Sequence, residues 1–464
     1  MDLIKDKNFW IILIIVGLLV SSYALASTMS WPLFFLGIFL ALLILFIIYP
    51  QIGLYLMVFF YPFTYFEFVY KEINIPYVDL IAMILFAAWG LRTAYLFLEK
   101  GQKLSWKNFP AWYFMLLFVL AAFLSLYNVE RENFNYALKY IFRPIIFFYL
   151  MYVILPFNII DNLKKYFRIL RILFVLGLGL SLMGVWSIII STASQLKRAM
   201  PTEIFGIYPL GTNHNSLAEV LVCLIPFALI LFWQEKDTFL KNLYLVGMIF
   251  MISVNLLTLS RAGWLGITLE LLLLAILKYR QEAKNIFTTY LPYLSLVLLA
   301  PILYLMYKLF SLGFIAQSDV NRLDLIELAF KLFNLHPLFG NGVGTFTILV
   351  SQIKWYLLEY GQVIDSHGFI FKTLAETGLF GAITFSLLLA YIIYILLKAY
   401  LQDKKAPQGI LLLGGFLAAA GGIAFQLFNT SYFIAKLWLP VGLALTTLKF
   451  SSSYFSSKFK KYAK

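Results

Sequence analysis

The residues best suited to chemistry lie in a polar stretch, residues 318–378, of a chain that is otherwise mostly apolar. The stretch contains His336 and His367, two of the three histidines in the sequence. His367 comes directly before a long apolar segment, which predicts that it stands at the mouth of a membrane span. An imidazole is the side chain best placed to take a proton near neutral pH. We therefore expect chemistry on a lipid-borne substrate in this stretch.

The immediate neighbours of His367 are polar. Asp365 or Ser366 is a candidate to orient the imidazole, although residues so close in sequence often point apart. A merely interfacial histidine also fits this position, so position alone leaves both interpretations open. In the predicted helix that follows, Lys372 and Glu376 are four residues apart, a spacing that allows them to pair and lowers the cost of burying their charges.

Two arginines are candidates for holding an anion. Arg261 belongs to the sequence SRAGWLG, residues 260–266, in a turn between two predicted spans. Its side chain either snorkels to the membrane interface or presents a planar fork of donors to a phosphate. Arg322 lies in the first turn of a predicted helix, an unfavourable place for a cation. A solvated arginine and a ligand-facing arginine both fit there, and the second explains the placement better.

The helix predicted over residues 319–333 is amphipathic and is expected to lie at the membrane surface or to pack onto the bundle. Its apolar stripe is predicted to consist of Leu323, Ile326 and Phe330. His336, Pro337 and three glycines at alternate positions follow, in the sequence HPLFGNGVG. A phosphate-binding loop is one interpretation, but the preceding strand of that motif is missing. A tight turn, with His336 in a turn or packing role, is favoured.

The composition is that of a polytopic membrane protein. Of the 464 residues, 62% are hydrophobic and 12% are charged, against about 25% charged in a typical soluble domain. The net charge of +14 does not indicate nucleic acid binding, because the basic residues gather in short loops between apolar segments. The single cysteine, Cys223, excludes an intramolecular disulfide. No metal site is predicted, since the sequence has no Asp-x-Asp motif and no histidine and carboxylate cluster at ligand spacing.

Apolar runs of roughly 20 residues predict an all-α bundle with about 12–14 transmembrane helices. The runs fall near residues 9–26, 31–48, 51–66, 77–97, 111–127, 140–158, 168–190, 216–233, 243–259, 262–277, 290–308, 368–398, 409–427 and 432–449. The first run resembles a signal peptide and is interpreted as an uncleaved anchor. The chain is thus divided into one membrane bundle (1–449), an external loop with amphipathic helices inside it (309–366) and a basic tail (450–464).

The distribution of lysine and arginine predicts the orientation of the chain. Most of the basic loops, and both termini, fall on one side, which is therefore cytoplasmic. The other side carries basic residues against the insertion preference, so we expect them to bind an external anionic ligand. They are Arg131, Lys139, Arg143, Lys197, Arg198, Arg261, Arg322, Lys331 and Lys354. Arg143, Arg198 and Asp365 are possible secondary residues of such a site.

Three sequence segments together resemble the O-antigen ligase and polymerase superfamily of bacterial envelope proteins. They are SRAGWLG, then R-x-D-x-x-x-x-A-x-x-x-x-x-x-HPLFGNGVGTF, then SHGFIFKTLAETGLFG. The resemblance covers about residues 213–449 and implies a C-type glycosyltransferase fold in the bacterial inner membrane, with its active site facing the periplasm. By motif position, His367 matches the catalytic histidine of the family. Arg261 and Arg322 match its two pyrophosphate-contacting arginines.

The activity that the resemblance implies is transfer of a glycan from undecaprenyl pyrophosphate to an acceptor hydroxyl, without metal or other cofactor and with inversion of the anomeric centre. We expect an O-antigen ligase, whose acceptor is the lipid A core. A polymerase of O-antigen or exopolysaccharide, whose acceptor is another lipid-linked glycan, is the first alternative. A flippase or exporter of lipid-linked glycan is the alternative of another class, but it would need neither a histidine at the mouth of a span nor a long external segment.

Overall fold

The computed structural model describes residues 32–70, 73–101, 108–191, 197–282 and 313–451. The predicted spans near residues 9–26 and 290–308 lie outside these ranges, as does the predicted basic tail from residue 452 onward. Within the described ranges the chain is almost entirely helical. One two-stranded antiparallel hairpin, β1 (Glu67–Tyr70) and β2 (Ile73–Pro76), departs from the all-α prediction.

The described chain begins with two short helices, α1 (Pro32–Ile48) and α2 (Pro50–Phe60). Only together are they long and apolar enough to cross a membrane, and they are bent by 116° at the break between them. With 11 residues, α2 rises about 16 Å, roughly half of the hydrocarbon thickness. The prediction of a separate span over residues 51–66 is therefore wrong, because the helix ends at Phe60 and the chain turns into the hairpin.

Six described helices are long and apolar enough to cross a membrane. They are α3 (Tyr77–Lys100), the continuous helix Phe134–Ile159, α7 (Leu163–Ile190), α8 (His214–Gln234), α9 (Thr238–Leu257) and α14 (Phe369–Asp403). The chain is thus a multi-pass membrane protein, as its composition predicts. The number of 12–14 spans stays a prediction, since part of the chain lies outside the described ranges.

The helix Phe134–Ile159 is built from several pieces. It starts as α5 (Phe134–Tyr140), passes through wide π-helical turns at Ile141–Phe147 and Tyr149–Ile154, and ends as α6 (Leu155–Ile159). Proline at 144 and at 156 explains the irregular backbone, because proline removes an amide donor and crowds the preceding turn.

Helix α8 is the centre of the bundle. Its residues from Leu217 to Leu231 are all buried and, apart from Glu219, all apolar, as expected of a helix enclosed by other helices. It packs against α7, α9, α10 (Arg261–Leu277), α15 (Gly409–Phe425) and α16 (Ala435–Thr446). The remaining apolar helix, α4 (Trp112–Ser125), packs on α14.

Three helices between α10 and α14 form a smaller unit with its own core. They are α11 (Gly313–Leu335), α12 (Phe346–Ser351) and α13 (Lys354–Tyr360). The core consists of Leu325, Leu328, Ala329, Leu332, Phe346, Val350, Tyr356 and, from α14, Ala375. This unit falls in the predicted external loop, and its main helix is longer than the predicted 319–333.

The apolar stripe predicted for α11 is mostly exposed, and its expected place at the membrane surface stays a prediction. Leu323 is 65% exposed and Phe330 is 46% exposed, whereas the buried stripe is formed by Leu325, Leu328, Ala329 and Leu332. Both sets recur at helical spacing, because α11 carries apolar residues on two faces. The tertiary contacts with α12 and α14 decide which of the two becomes a core.

The predicted orientation can be tested by cysteine labelling. On a Cys223→Ser background, a cysteine placed at Ser318 should react with a membrane-impermeant maleimide in intact cells, because the 309–366 segment is predicted to lie outside. A cysteine at Gln408, in the α14–α15 loop predicted to be cytoplasmic, should react only after lysis and serves as the control. The reverse pattern would overturn both the orientation and the assignment of an external site.

Candidate active site

The smaller unit formed by α11, α12 and α13 joins the bundle at a break in α14. The helix is interrupted at Gly378, whose backbone is left-handed and extended (φ 64, ψ −165). A break at this point would leave amides and carbonyls of α14 without helical partners. Residues 337–342 supply those partners. Leu379 N–H donates to the Pro337 carbonyl at 2.8 Å, and Gly342 N–H donates to the Glu376 carbonyl at 2.8 Å.

Glycine is required where the two backbones meet. A Cβ on Gly340 would lie 2.4 Å from the Glu376 backbone, and a Cβ on Gly378 would lie 2.5 Å from the Leu338 backbone. Both glycines also have positive φ, which other residues rarely adopt. Gly340 of the HPLFGNGVG sequence therefore serves close packing of the loop against the broken helix, whereas Gly342 and Gly344 lie against Val129 and Tyr140.

Amides at this loop do bind a carboxyl group, but it is that of Glu376, a residue of the protein itself. The amide of Phe346 donates to the Glu376 carboxylate at 3.1 Å. The Asn341 and Val343 amides donate to the Ala375 carbonyl and the Ser125 hydroxyl. These donors are therefore already bound within the protein, which argues against a phosphate-binding loop. His336, in the turn after α11, is exposed.

The segment that carries His367 is fixed on both sides. Thr430 Oγ1 donates to the Ser366 carbonyl, and Phe369 N–H donates to the Gln426 carbonyl at 3.0 Å. Gly368 packs so closely that a Cβ there would lie 2.4 Å from the Leu427 carbonyl oxygen. His367 thus stands, partly buried, at the start of α14 and against the loop that follows α15.

Asp365, one of the two residues predicted to orient His367, has other described partners. Its Oδ1 accepts from the Ser366 amide at 2.8 Å, and its Oδ2 accepts from Lys372 Nζ at 2.5 Å. The sequence spacing predicts that Lys372 pairs with Glu376, and that contact is longer, at 3.8 Å. Asp365 therefore shapes the turn before His367 through its backbone and through Lys372.

His367 lies in the field of both predicted arginines. Burial, and next the charge of Arg322, lower the pKa of His367 to about 4; Asp365 opposes this shift and Arg261 adds to it. The imidazole is accordingly neutral at pH 7 and able to accept a proton. It is a weak base, and balancing the positive charge around it would make it a stronger one.

Arg261 is the first residue of α10 and is positioned by a cap. The Ser260 side chain accepts from Gly263 N–H at 3.2 Å and donates to Asn215 Oδ1 at 2.7 Å. Asn215 is the second residue of α8, so these bonds join the N-termini of α8 and α10. Helix N-termini carry partial positive charge, and two of them beside an arginine favour an anionic ligand.

Arg322 is held in place by its neighbours on α11. Tyr356 and Tyr360 of α13 donate to Asn321 at 3.0 Å and to Asp324 at 2.6 Å. These bonds fix the rotation of α11 on either side of Arg322. The arginine is partly buried on the flank of the helix between the packed stripe and the exposed apolar one.

His214, the third histidine, is not among the site residues predicted from the sequence. It is the first residue of α8 and is partly buried. It lies within electrostatic range of Arg322 and of Arg198, a predicted secondary residue. The signal that could have identified it is the Asn-His-Asn sequence directly before an apolar run, at the predicted external end of a span.

Arg143, the other predicted secondary arginine, is paired with a buried carboxylate. Its Nη2 lies 3.0 Å from Asp79 Oδ2. Asp79 also accepts from the Tyr152 hydroxyl at 2.5 Å. Its described contacts thus belong to the packing of α3 on the helix Phe134–Ile159, and its role as a ligand residue stays a prediction.

The geometry can be compared with known families. Residues 246–386 match the family model described as O-Antigen ligase. The match confirms, for this segment, the predicted resemblance to the O-antigen ligase and polymerase superfamily. The ligase-family segment runs from α9 into α14 and contains Arg261, Arg322 and His367, while Arg198 and His214 lie before it. A search of curated proteins gives no match.

Proposed function

We propose that this protein is an inverting, metal-independent glycosyltransferase that takes a glycan from undecaprenyl pyrophosphate at the periplasmic face of the bacterial inner membrane. We infer an O-antigen ligase with the lipid A core as acceptor; a polymerase uses a lipid-linked glycan instead. The observation that carries the proposal is that Arg261 and Arg322 both lie within electrostatic range of His367, inside the ligase-family segment. We also propose, from the distribution of basic residues, that both termini lie in the cytoplasm.

Each residue supplies a different part of the reaction. Arg261 and Arg322 offer charge-assisted hydrogen bonds to the pyrophosphate, and the N-terminus of α10 adds its dipole. As the bond between the anomeric carbon and the pyrophosphate oxygen breaks, these groups stabilise the negative charge that develops on the leaving group. The acceptor oxygen attacks from the opposite face, and His367 takes its proton.

The arginines also act on the base. In the free enzyme burial, and next the charge of Arg322, keep His367 a weak base, and Arg261 adds to this effect. A bound pyrophosphate balances those charges, so the basicity of His367 rises when the donor is in place. His367 is therefore a stronger base in the complex with the donor than in the free enzyme.

This coupling predicts that kcat/KM and kcat fall at different pH values on the acid side of their pH profiles. The limb of kcat/KM reports the free enzyme, and that of kcat reports the donor complex. Activity falls as the pH drops through the pKa of His367, since the neutral imidazole is the active form. That pKa is about 4 in the free enzyme and should move toward the ordinary value of about 6.5 in the complex. A kcat limb at or below the pH of the kcat/KM limb would contradict the coupling.

The activity itself is tested with purified protein in nanodiscs, undecaprenyl-pyrophosphate-linked glycan and either a lipid A core or a second lipid-linked glycan. We expect product with one of the acceptors, with and without EDTA. The structure gives a reason for the second arm: in the part of the chain that it describes, no group of three or more His, Cys, Asp and Glu side chains is arranged to hold a metal ion. Loss of activity in EDTA, restored by magnesium or manganese, would refute metal independence.

The choice between ligase and polymerase is tested in a strain that lacks the gene. A ligase deletion leaves free lipid A core together with intact lipid-linked polymer. A polymerase deletion leaves single repeats attached to the core. Normal envelope glycan, in a strain where no other gene compensates, would contradict both activities.

A further inference from the structure

The described structure contains one buried charge cluster directly beside the proposed base. Its centre is Lys372, in the first turns of α14, which is 3% exposed. Its ammonium lies 2.5 Å from Asp365 and 3.8 Å from Glu376. The ring of Phe433 covers it at 4.3 Å and that of Tyr140 at 5.6 Å. We call Lys372, Asp365 and Glu376 the Lys372 cluster.

Such a cluster is a poor device for stability alone. Removing charges from water costs several kcal/mol per ion, and a well-packed apolar replacement of a buried ion pair is often as stable. What a buried cluster offers is directional contacts that fix one arrangement of the chain. The contacts of the Lys372 cluster show which parts of the protein it holds together.

One end of the cluster reaches the segment that carries His367. Asp365 is two residues before His367, and besides Lys372 it binds the intervening Ser366 amide. The Ser366 carbonyl is bound in turn by Thr430. With Lys372 in place, the residues before His367 are held from two sides, by Lys372 of α14 and by Thr430 in the loop after α15.

The other end reaches the helix that carries Arg322. Glu376 accepts from the Phe346 amide at 3.1 Å and so holds the glycine-rich loop on α14. In the same loop, the Asn341 side chain donates to the Leu332 carbonyl of α11 at 2.7 Å and to the Ala375 carbonyl of α14 at 2.9 Å. A continuous series of contacts thus runs from His367 through Lys372 to α11.

We propose that Lys372 is a positioning residue for the transfer reaction. Through Asp365 and Glu376 it sets the place of the base, His367, relative to the anion-binding Arg322. The residue touches neither donor nor acceptor and acts only through this geometry. This inference rests on the proposed function for its kinetic consequence, but the geometric part stands by itself.

The kinetic test separates chemistry from binding. In Lys372→Met, kcat is expected to fall about 100-fold, the cost of roughly 1 Å of misplacement at a reacting group. The Kd for the lipid-linked donor should change only a few-fold, since both arginines remain. Because the single variant leaves Glu376 buried without its cation, a triple variant is made in parallel: Lys372→Met with Asp365→Asn and Glu376→Gln. It removes all three charges, should fold, and should show the same loss in kcat.

A second readout does not depend on activity. Diethyl pyrocarbonate modifies accessible imidazoles, and mass spectrometry of the peptides reports each histidine separately. In the wild-type protein His367 should react slowly, because its segment is anchored and partly buried. In both variants its rate should rise several-fold, while the rate of the exposed His336 stays the same.

The matched control is Asp403→Asn, at the other end of the same helix. Asp403 is 5% exposed and accepts from Ser451 Oγ at 2.6 Å. This variant also disturbs a buried carboxylate of α14, so its melting temperature should fall. Its kcat and the reactivity of His367 should remain at the wild-type level.

Wild-type kcat in the folded triple variant, or an unchanged His367 rate in both cluster variants, would overturn the positioning role. An equal loss of kcat in Asp403→Asn would also overturn it, because the effect would then be one of general stability. If wild-type protein transfers no glycan while His367 becomes reactive in the cluster variants, the positioning network stands and the proposed function fails.

Discussion

Replacing His367 by alanine is expected to lower the transfer rate by about 100- to 10,000-fold, the usual contribution of a general base. Binding of the lipid-linked donor should be nearly unchanged, because Arg261 and Arg322 hold the pyrophosphate without help from the imidazole. The measurement is single-turnover transfer by purified protein in nanodiscs, with the Kd for the donor determined separately.

The other two histidines are the controls for this result. His336→Ala should retain nearly full activity, since that side chain is exposed in the turn after α11. His214→Ala is the sharper comparison, because His214 lies in the field of Arg322 as His367 does. Near-normal turnover by folded His367→Ala protein would rule out His367 as the base. If His214→Ala were the variant without turnover, the role would pass to His214.

Arg261→Lys and Arg322→Lys should each weaken donor binding and also lower the transfer rate. Lysine keeps the charge but loses the planar fork that matches a phosphate. A lost hydrogen bond to a charged group costs about 1.5–3 kcal/mol, which corresponds to roughly 10- to 150-fold in Kd. The effect on transfer should be at least as large, because the same contacts stabilise the leaving group.

The control for charge is Lys331→Gln on the same helix as Arg322. Lys331 is one of the basic residues predicted to bind an external anion, but it pairs with Glu327 on an exposed face of α11, at 2.6 Å, so its charge is already balanced. Removing this charge should change neither Kd nor rate, although it alters the net charge more than either Arg→Lys variant does. Equal losses in all three variants would show that only the overall positive field matters and would contradict specific pyrophosphate binding.

Sequence patterns predicted the features that depend on local chemistry. Apolar runs indicated the long helices. Motif positions indicated Arg261, Arg322 and His367, and the structure places both arginines within electrostatic range of His367. The chain's own amphipathic pattern was less informative for α11. That helix has two apolar faces, and only contacts with other elements decide that Leu325 rather than Leu323 is buried.

What could not be predicted depends on contacts between distant segments. The span expected over residues 368–398 is a helix broken at Gly378, and the groups that stabilise the break come from residues about 40 positions earlier. The i,i+4 rule predicted that Lys372 pairs with Glu376, but the shorter contact is with Asp365, in the turn before the helix. Backbone turns of this kind are decided by tertiary packing.

The way in which the loop meets the broken helix also constrains how the gene can change in length. Four backbone hydrogen bonds join residues 337–342 to residues 375–380, so adding or deleting a single codon there would move donors away from their acceptors. At Gly361 the situation is the opposite, because it ends α13 in a left-handed turn with open space around it. Insertions, reporter tags and epitopes are therefore best placed near residue 361, whereas the segment of residues 337–342 has a fixed length.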